Sequence, residues 1–472
     1  MSRFREKYIG DKGFYRTVMM LVLPMIAQQG ITQFVNLLDN VMVGRLGTAP
    51  MSGVAIVNQI VFIFNLTIFG GLSGASIFGA QFFGKGDHKG LRDTFRFRIL
   101  FAAAVLVIGI SVFLLFGENL FRLYLNEEAS SPQDIAATLN YAKSYMVVIL
   151  WGLLPFVAVQ CFSSVLRNAG ETVSPMIASI IAILVNLILN YLLIFGSFGF
   201  PRLGVVGAAL ATVIARYLEM IYLIARTYRR KEKYPFLQGT FRSLRVPLPL
   251  VKRIAVTGTP LLVNEFLWSM GMAAIQVCYA TRGLTAVAAV NIESTIYNLF
   301  SILVMAAGDT IGILSGQMLG ANNIQGAKDT VRKLLFLTVS VNFCMGLIVI
   351  GTSPFLPNIY NTEPIVRETA TRLLTVMGCF MPLMAFTNGC YFTIRSGGKT
   401  FVTFLFDSVF TWVVCLPIAY LVSTFTALSV VGVFFCVQCA DFIKALIGGT
   451  MIHSGIWANN IVAEKQTDTE LG

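Results

Sequence analysis

Apolar residues fill this chain in long blocks with few charges, interrupted by short polar stretches. Blocks able to cross roughly 30 Å of hydrocarbon as helices fall at 14–45, 50–82, 95–117, 135–166, 172–196, 204–227, 252–280, 285–318, 330–351, 365–395, 400–424 and 429–453. The pattern predicts twelve membrane-spanning helices, six in each half. Several are longer than a span needs, so tilt, bending or protrusion is expected.

The polar stretches repeat. Gly84-Lys-Gly-Asp-His-Lys-Gly-Leu-Arg-Asp-Thr-Phe-Arg96 returns 236 residues later as Gly320-Ala-Asn-Asn-Ile-Gln-Gly-Ala-Lys-Asp-Thr-Val-Arg332, with five of thirteen positions identical. At the same offset Pro24 meets Pro260, Gly47 meets Gly283 and Gln81 meets Gln317. A second pair, at a slightly shorter offset, is Leu166-Arg-Asn-Ala-Gly-Glu-Thr172 against Ile394-Arg-Ser-Gly-Gly-Lys-Thr400. Duplication explains both. The expected fold is an all-α polytopic membrane protein of twelve transmembrane helices in two six-helix lobes related by internal duplication. The N-lobe covers 1–235 and closes with a basic linker; the C-lobe covers 236–472. Parallel repeats of this kind are an architecture that secondary transporters favour. Pro24 and Pro260, with Pro155 and Pro382 at near-matching places, each remove a backbone bond and permit a bend.

Composition narrows the class. The chain is 56% hydrophobic and only 12% charged, about half the charge of a soluble domain. A net charge of +12 would invite a nucleic-acid reading, but its distribution argues for a bilayer instead. With the N-terminus inside, 27 Lys and Arg lie on the inner side, against seven on the outer side (Arg45, Arg122, Lys143, Arg202, Arg282, Arg367 and Arg372). That asymmetry places both termini in the cytoplasm. The basic stretch 226–253 reads as a topology anchor at anionic headgroups. Walker, GxSxG, HExxH and dinucleotide motifs are absent from the sequence, so neither an enzyme nor a cofactor is expected. The cysteines and histidines lack the spacing of a zinc site. The charged segment before the first apolar run, and the length of that run, argue against a cleavable signal peptide.

What remains to carry function is polar residues within the apolar blocks, where a charge costs about 2.5–3.5 kcal/mol on insertion scales. Asp39 in helix 1 stands first, with Gln33 and Asn36 before it on the same face; these two are expected to line a substrate cavity together with Asn264, Glu265 and Trp268. Helix 5 offers Asn186 and Asn190 at i, i+4, and helix 6 offers Thr212 after Gly207-Ala-Ala-Leu-Ala, small residues that allow close helix approach. Asp39, Asn186 and Asn190 with Thr212 form a proton-relay or Na+ cluster, or else the amides only bond helices together. In helix 7, Asn264, Glu265 and Trp268 combine an acid with an aromatic surface, suited to lipophilic cations; a purely structural Glu265 is the other reading. Glu293, Asp309 and Asp407 are expected at interfaces or as caps. Asp441 with Lys444, and Arg216 with Glu219, are expected as structural i, i+3 pairs.

These residues resemble the multidrug and toxic compound extrusion (MATE) family over nearly the whole chain. The resemblance is carried by Asp39-Asn-Val-Met-Val-Gly-Arg-Leu-Gly47, by Gln81-Phe-Phe-Gly-Lys-Gly-Asp87 with its echo Gln317-Met-Leu-Gly-Ala-Asn-Asn323, and by the two Arg-centred turns. It implies two lobes around a cavity, exporting cationic or amphiphilic compounds in exchange for H+ or Na+, from a multi-pass position in a bacterial inner membrane. The family's N-lobe cation site maps onto Asp39, Asn186, Asn190 and Thr212. Many members have an aspartate where Asn190 stands, which favours a proton over Na+ here. The segment 381–388 lacks the acid of the family's C-lobe cation site. A lipid-linked-precursor flippase is the alternative. A monomer is expected, because duplication supplies in one chain what a dimer would supply.

Overall fold

In a computed structural model, residues 6–125, 131–360 and 362–463 are described; Arg3, Arg5 and Lys465, counted above on the inner side, lie outside them. Among the described residues twelve helices are long and apolar enough to cross a membrane. They are α1 (Lys12–Gly44), α2 (Thr48–Lys85), α3 (His88–Arg122), α4 (Pro132–Asn168), α5 (Val173–Phe195), α6 (Val205–Arg229), α7 (Leu248–Ala280), α8 (Leu284–Gly320), α9 (Ile324–Thr352), α10 (Pro364–Ser396), α11 (Thr400–Phe425) and α12 (Val430–Ser454). Pro24, Pro155, Pro260 and Pro382 all lie inside unbroken helices.

The helices match the expected spans but overrun some of them. α3 extends well beyond 95–117 because its polar ends are satisfied by protein. Arg98 is fully buried and donates to the Ala75 carbonyl at 3.0 Å and Ser164 Oγ at 3.1 Å. Arg92 and Arg96 donate to the carbonyls of Phe236, Gly239 and Thr240. The linker after α6 is therefore packed as well as basic. Phe236 and Leu237 are buried, whereas Arg229, Arg230 and Lys231 stay exposed. Glu171, in the turn before α5, accepts from Ser174 N (3.1 Å), Lys233 Nζ (2.7 Å) and Tyr234 Oη (2.9 Å).

The chain forms two compact units whose limits depart from 1–235 and 236–472. One holds Leu23–Ser76 and His88–Val251; the other holds Met1–Val22, Ile77–Asp87 and Lys252–Gly472. In the first, α5 packs on α6, and α4 on both α6 and α3. In the second, α10 is central, packing on α8, α9 and α12. The last turns of α2 belong to this second unit for a steric reason. A Cβ on Gly84 would lie 1.8 Å from the Gln317 carbonyl oxygen, and one on its repeat mate Gly320 would lie 1.8 Å from that of Gln81. Only glycine permits this reciprocal crossing of α2 and α8. Gln81, fully buried, then donates to the Ser396 and Asn459 carbonyls and accepts from Ile461 N.

Candidate functional site

Close packing of α5 and α6 brings the first cluster together. A Cβ on Gly207 would meet the Leu193 carbonyl oxygen at 2.5 Å, and Ala208, Ala209 and Ala211 are buried beside it. Small side chains thus let α6 approach until Thr212 reaches Asn186. α5 ends just beyond the cluster, where Gly196 takes a left-handed conformation (φ 72°) and its N–H bonds the Leu192 carbonyl.

Asp39, half-buried on α1, accepts from the Asn190 amide at 2.6 Å. Asn190 also donates to Asn186 Oδ1 at 3.2 Å, and Asn186 donates to Thr212 Oγ1 at 3.2 Å. In that orientation Asn186 Oδ1 faces the Asp39 oxygens. Turning the amide over places its nitrogen 3.1 and 3.2 Å from them, with its oxygen toward the Thr212 hydroxyl. Each orientation suits one charge state. An ionised Asp39 only accepts, so it is matched by the turned amide; a protonated Asp39 can donate to the unturned Oδ1. No Lys or Arg among the described residues lies within ion-pair distance of Asp39. The structure therefore brings together all four expected residues. Gln33 and Asn36 are exposed on α1 and lie outside this hydrogen-bonded group.

The second half does not duplicate this group. At the repeat offsets, with α6 aligned to α12 by Leu203-Gly-Val-Val-Gly207 and Leu428-Ser-Val-Val-Gly432, Asp39, Asn186, Asn190 and Thr212 correspond to Ile275, Val414, Ile418 and Val437. All four belong to, or pack against, the hydrophobic core of the second unit.

That unit has a different polar cluster. Asn264 is buried (1% exposed) and its amide donates to Asp407 Oδ2 at 3.1 Å and Tyr391 Oη at 3.4 Å. Ser408 Oγ donates to Asn264 Oδ1 at 2.7 Å and to its backbone carbonyl at 2.8 Å. Asn264 is thus a tie between α7 and α11, while Trp268 is exposed and Glu265 half-buried. Charges that act on Glu265 include Arg395, Asp407 and Asp309, and Tyr391 hydrogen-bonds it. Asp407 lies in a π-helical turn, Leu405–Val409, followed by another at Thr411–Cys415; such turns often mark functional positions. It pairs with Lys444 Nζ at 2.8 Å. Asp407 thus sits at a helical irregularity, as expected, and takes Lys444, whereas the expected i, i+3 ion pair of Asp441 with Lys444 is corrected. An i, i+3 spacing was the only signal in the sequence, and helix contact outweighed it. Glu293 is buried, with the Ser294 hydroxyl at 3.4 Å.

A family model for MatE matches residues 24–192 and again 260–421, once in each half. The chain belongs to the MatE family. It is a membrane transporter of the multidrug efflux type and not an enzyme. Among curated relatives it is 24% identical to the probable multidrug resistance protein NorM of Thermotoga maritima, over 97% of this chain and 96% of that one. It is 25% identical to the probable multidrug resistance protein YoeA of Bacillus subtilis, over 92% of each. The fold matches a MATE transporter of Vibrio cholerae, VcmN, with TM-score 0.83 at 17% identity, covering 95% and 98% of the two chains. It also matches a MOP superfamily transporter from Pyrococcus furiosus with TM-score 0.82 at 18% identity, covering 95% and 97%. This MatE member is thus a multi-pass membrane protein with twelve spanning helices among its described residues, in a family whose members move small molecules across membranes.

Proposed function

We propose that this MatE-family chain is a secondary antiporter that exports cationic or amphiphilic small molecules in exchange for H+, by alternating access, as a monomer with both termini cytoplasmic. The observation that carries this reading is the environment of Asp39: one carboxylate in a membrane-spanning helix, met by the Asn190 amide and within reach of the Asn186 amide, which Thr212 backs, rather than by a basic side chain. Such a carboxylate is costly in the ionised form, so a proton or a cation is its natural counter-charge. Proton carriage is favoured over Na+ because the amides can turn N–H groups, not oxygens, toward the ionised acid, and a hard cation needs several oxygen ligands.

Asn186 supplies a way for the charge to be read. Ionised Asp39 draws the Asn186 and Asn190 nitrogens into charge-assisted bonds, which are roughly twice as strong as neutral ones. Protonation weakens that hold of α5 on α1 and lets the Asn186 amide turn back, its nitrogen then donating to Thr212 Oγ1. The proton thereby alters a contact between helices, which is what coupling requires. Lipid flipping is disfavoured because nothing in the two polar clusters is strongly cationic.

The test is efflux of a fluorescent lipophilic cation from proteoliposomes, driven separately by a pH gradient and by a Na+ gradient. Export driven by the pH gradient alone, and lost in Asp39→Asn, is the expected result. Equal transport by wild type and Asp39→Asn would overturn the assignment. Response to neither gradient would redirect attention to lipid flipping.

A further inference from the structure

The two halves carry one polar chain in two charge versions. In the first unit Gln28 Nε2 donates to Ser179 Oγ (2.7 Å), Ser179 Oγ donates to Glu219 Oε1 (2.6 Å), and Arg216 pairs with Glu219 Oε2 (2.8 Å). The repeat mate of Gln28 is Asn264, and that of Ser179 is Asp407. Leu203-Gly-Val-Val-Gly207 and Leu428-Ser-Val-Val-Gly432 align α6 with α12, so Arg216 corresponds to Asp441 and Glu219 to Lys444. The same contacts recur: Asn264 to Asp407, and Asp407 to Lys444. The charges, however, are exchanged. Glu219 has its countercharge one turn away on its own helix, whereas Lys444 is one ammonium between two carboxylates, Asp407 and Asp441, both of which attract it.

The lysine head occupies a seat built for a cation. Its nitrogen lies 2.8 Å from Asp407 Oδ1, 5.3 Å from the Phe406 ring centre and 5.9 Å from that of Phe410. A carboxylate with two aromatic faces suits an organic ammonium. The other groups around it are Cys415 on α11, Cys390 and Tyr391 on α10, and the Glu265–Arg395 neighbourhood, whose charges offset one another. Both members of the ion pair keep some exposure, 13% for Lys444 and 16% for Asp407.

We propose that Asp407 is a binding carboxylate for the cationic centre of an exported organic cation, and that Lys444 is a tethered competitor which vacates this seat by moving one turn along α12 to Asp441. This rests on the reading that the substrates are organic cations, but not on the coupling ion. With one ammonium against two carboxylates, the second unit can take one further positive charge without leaving any group unpaired. The first unit, whose Glu219 is satisfied by Arg216, has no spare carboxylate in the equivalent place.

The experiment is equilibrium binding of radiolabelled benzyltrimethylammonium to the purified full chain in detergent, without any gradient, so that failure of H+ coupling leaves it interpretable. Two double variants carry the same net charge as wild type. Asp441→Asn with Lys444→Met leaves Asp407 free of its competitor and is expected to bind about tenfold more tightly than wild type. Asp407→Asn with Lys444→Met is expected to lose that binding. Equal affinity in the two would show that only the overall field matters and would overturn the proposal, as would no gain over wild type in the first, or no binding by any form. Should either double variant fail to fold, Asp441→Asn alone keeps the Asp407–Lys444 pair but removes the second seat. It is expected to weaken binding several-fold, and unchanged binding would overturn the proposal.

Discussion

Asn190 places its amide nitrogen 2.6 Å from Asp39 Oδ1, joining α5 to α1 by a charge-assisted bond at a half-buried acid that has no Lys or Arg within ion-pair distance among the described residues. Replacing the amide by an apolar group of similar size leaves the carboxylate with fewer donors, which costs about 1–3 kcal/mol for a buried group. Asn190→Leu is therefore expected to fold and insert, yet to lower pH-gradient-driven efflux at least about tenfold. Transport at the wild-type rate in proteoliposomes would show that Asp39 does not depend on this contact.

The crossing of α2 and α8 makes a packing prediction. Gly84→Ala puts a methyl 1.8 Å from the Gln317 carbonyl oxygen, and Gly320→Ala does the same against Gln81. Because the clash is with backbone, it cannot be relieved by turning a side chain. Each variant is expected to lose about 1–3 kcal/mol, seen as a lower melting temperature in detergent. Gly351→Ala, where an added Cβ meets nothing within 4 Å, serves as the neutral control.

Gln81 fastens the segment after α12 to the end of α2 through the Asn459 carbonyl and Ile461 N. Lys85 adds a bond to the Val462 carbonyl, and Arg253 one to that of Ile461. Gln81→Leu leaves these backbone groups without partners, at about 1–3 kcal/mol. Faster amide hydrogen exchange over residues 456–463, with the rest of the chain unchanged, is the expected signature.

Glu171 carries a pH prediction outside the membrane spans. Burial alone would raise its carboxyl, but hydrogen bonds and charge from Lys233 and Tyr234, with the Ser174 N–H, hold it below the ordinary value of 4.5. A lowered folded-state value means the bond stabilises fully above 4.5 and is lost as pH falls through the lowered value. Glu171→Gln should cost about 1 kcal/mol at neutral pH, allowing for solvent screening at the exposed Lys233 end. The gap in melting temperature between wild type and variant should close as pH drops below 4.5. A gap that is constant with pH would mean the ionised form is not the one that matters.

The sequence by itself determined the twelve spans, the duplication, and Asp39, Asn186, Asn190 and Thr212 as polar exceptions within their blocks; helix packing decided that they touch. It could do so because apolar block length and polar exceptions within a block are local properties, and a bilayer enforces them residue by residue. It also determined the asymmetry of the halves, since Ile275, Val414, Ile418 and Val437 stand where the cluster's mates would be. Only the tertiary structure decided which acid Lys444 takes. Within α12 the spacing to Asp441 permits a pair, but the packing of α11, where Asp407 lies in a π turn, sets that carboxylate at 2.8 Å. It likewise decided that Asn264 is buried rather than exposed, and that the linker's Phe236 and Leu237 are buried while Arg92 and Arg96 hold its carbonyls. It decided too that the last turns of α2 join the second unit, because a glycine crossing is a relation between two helices that neither sequence segment contains alone.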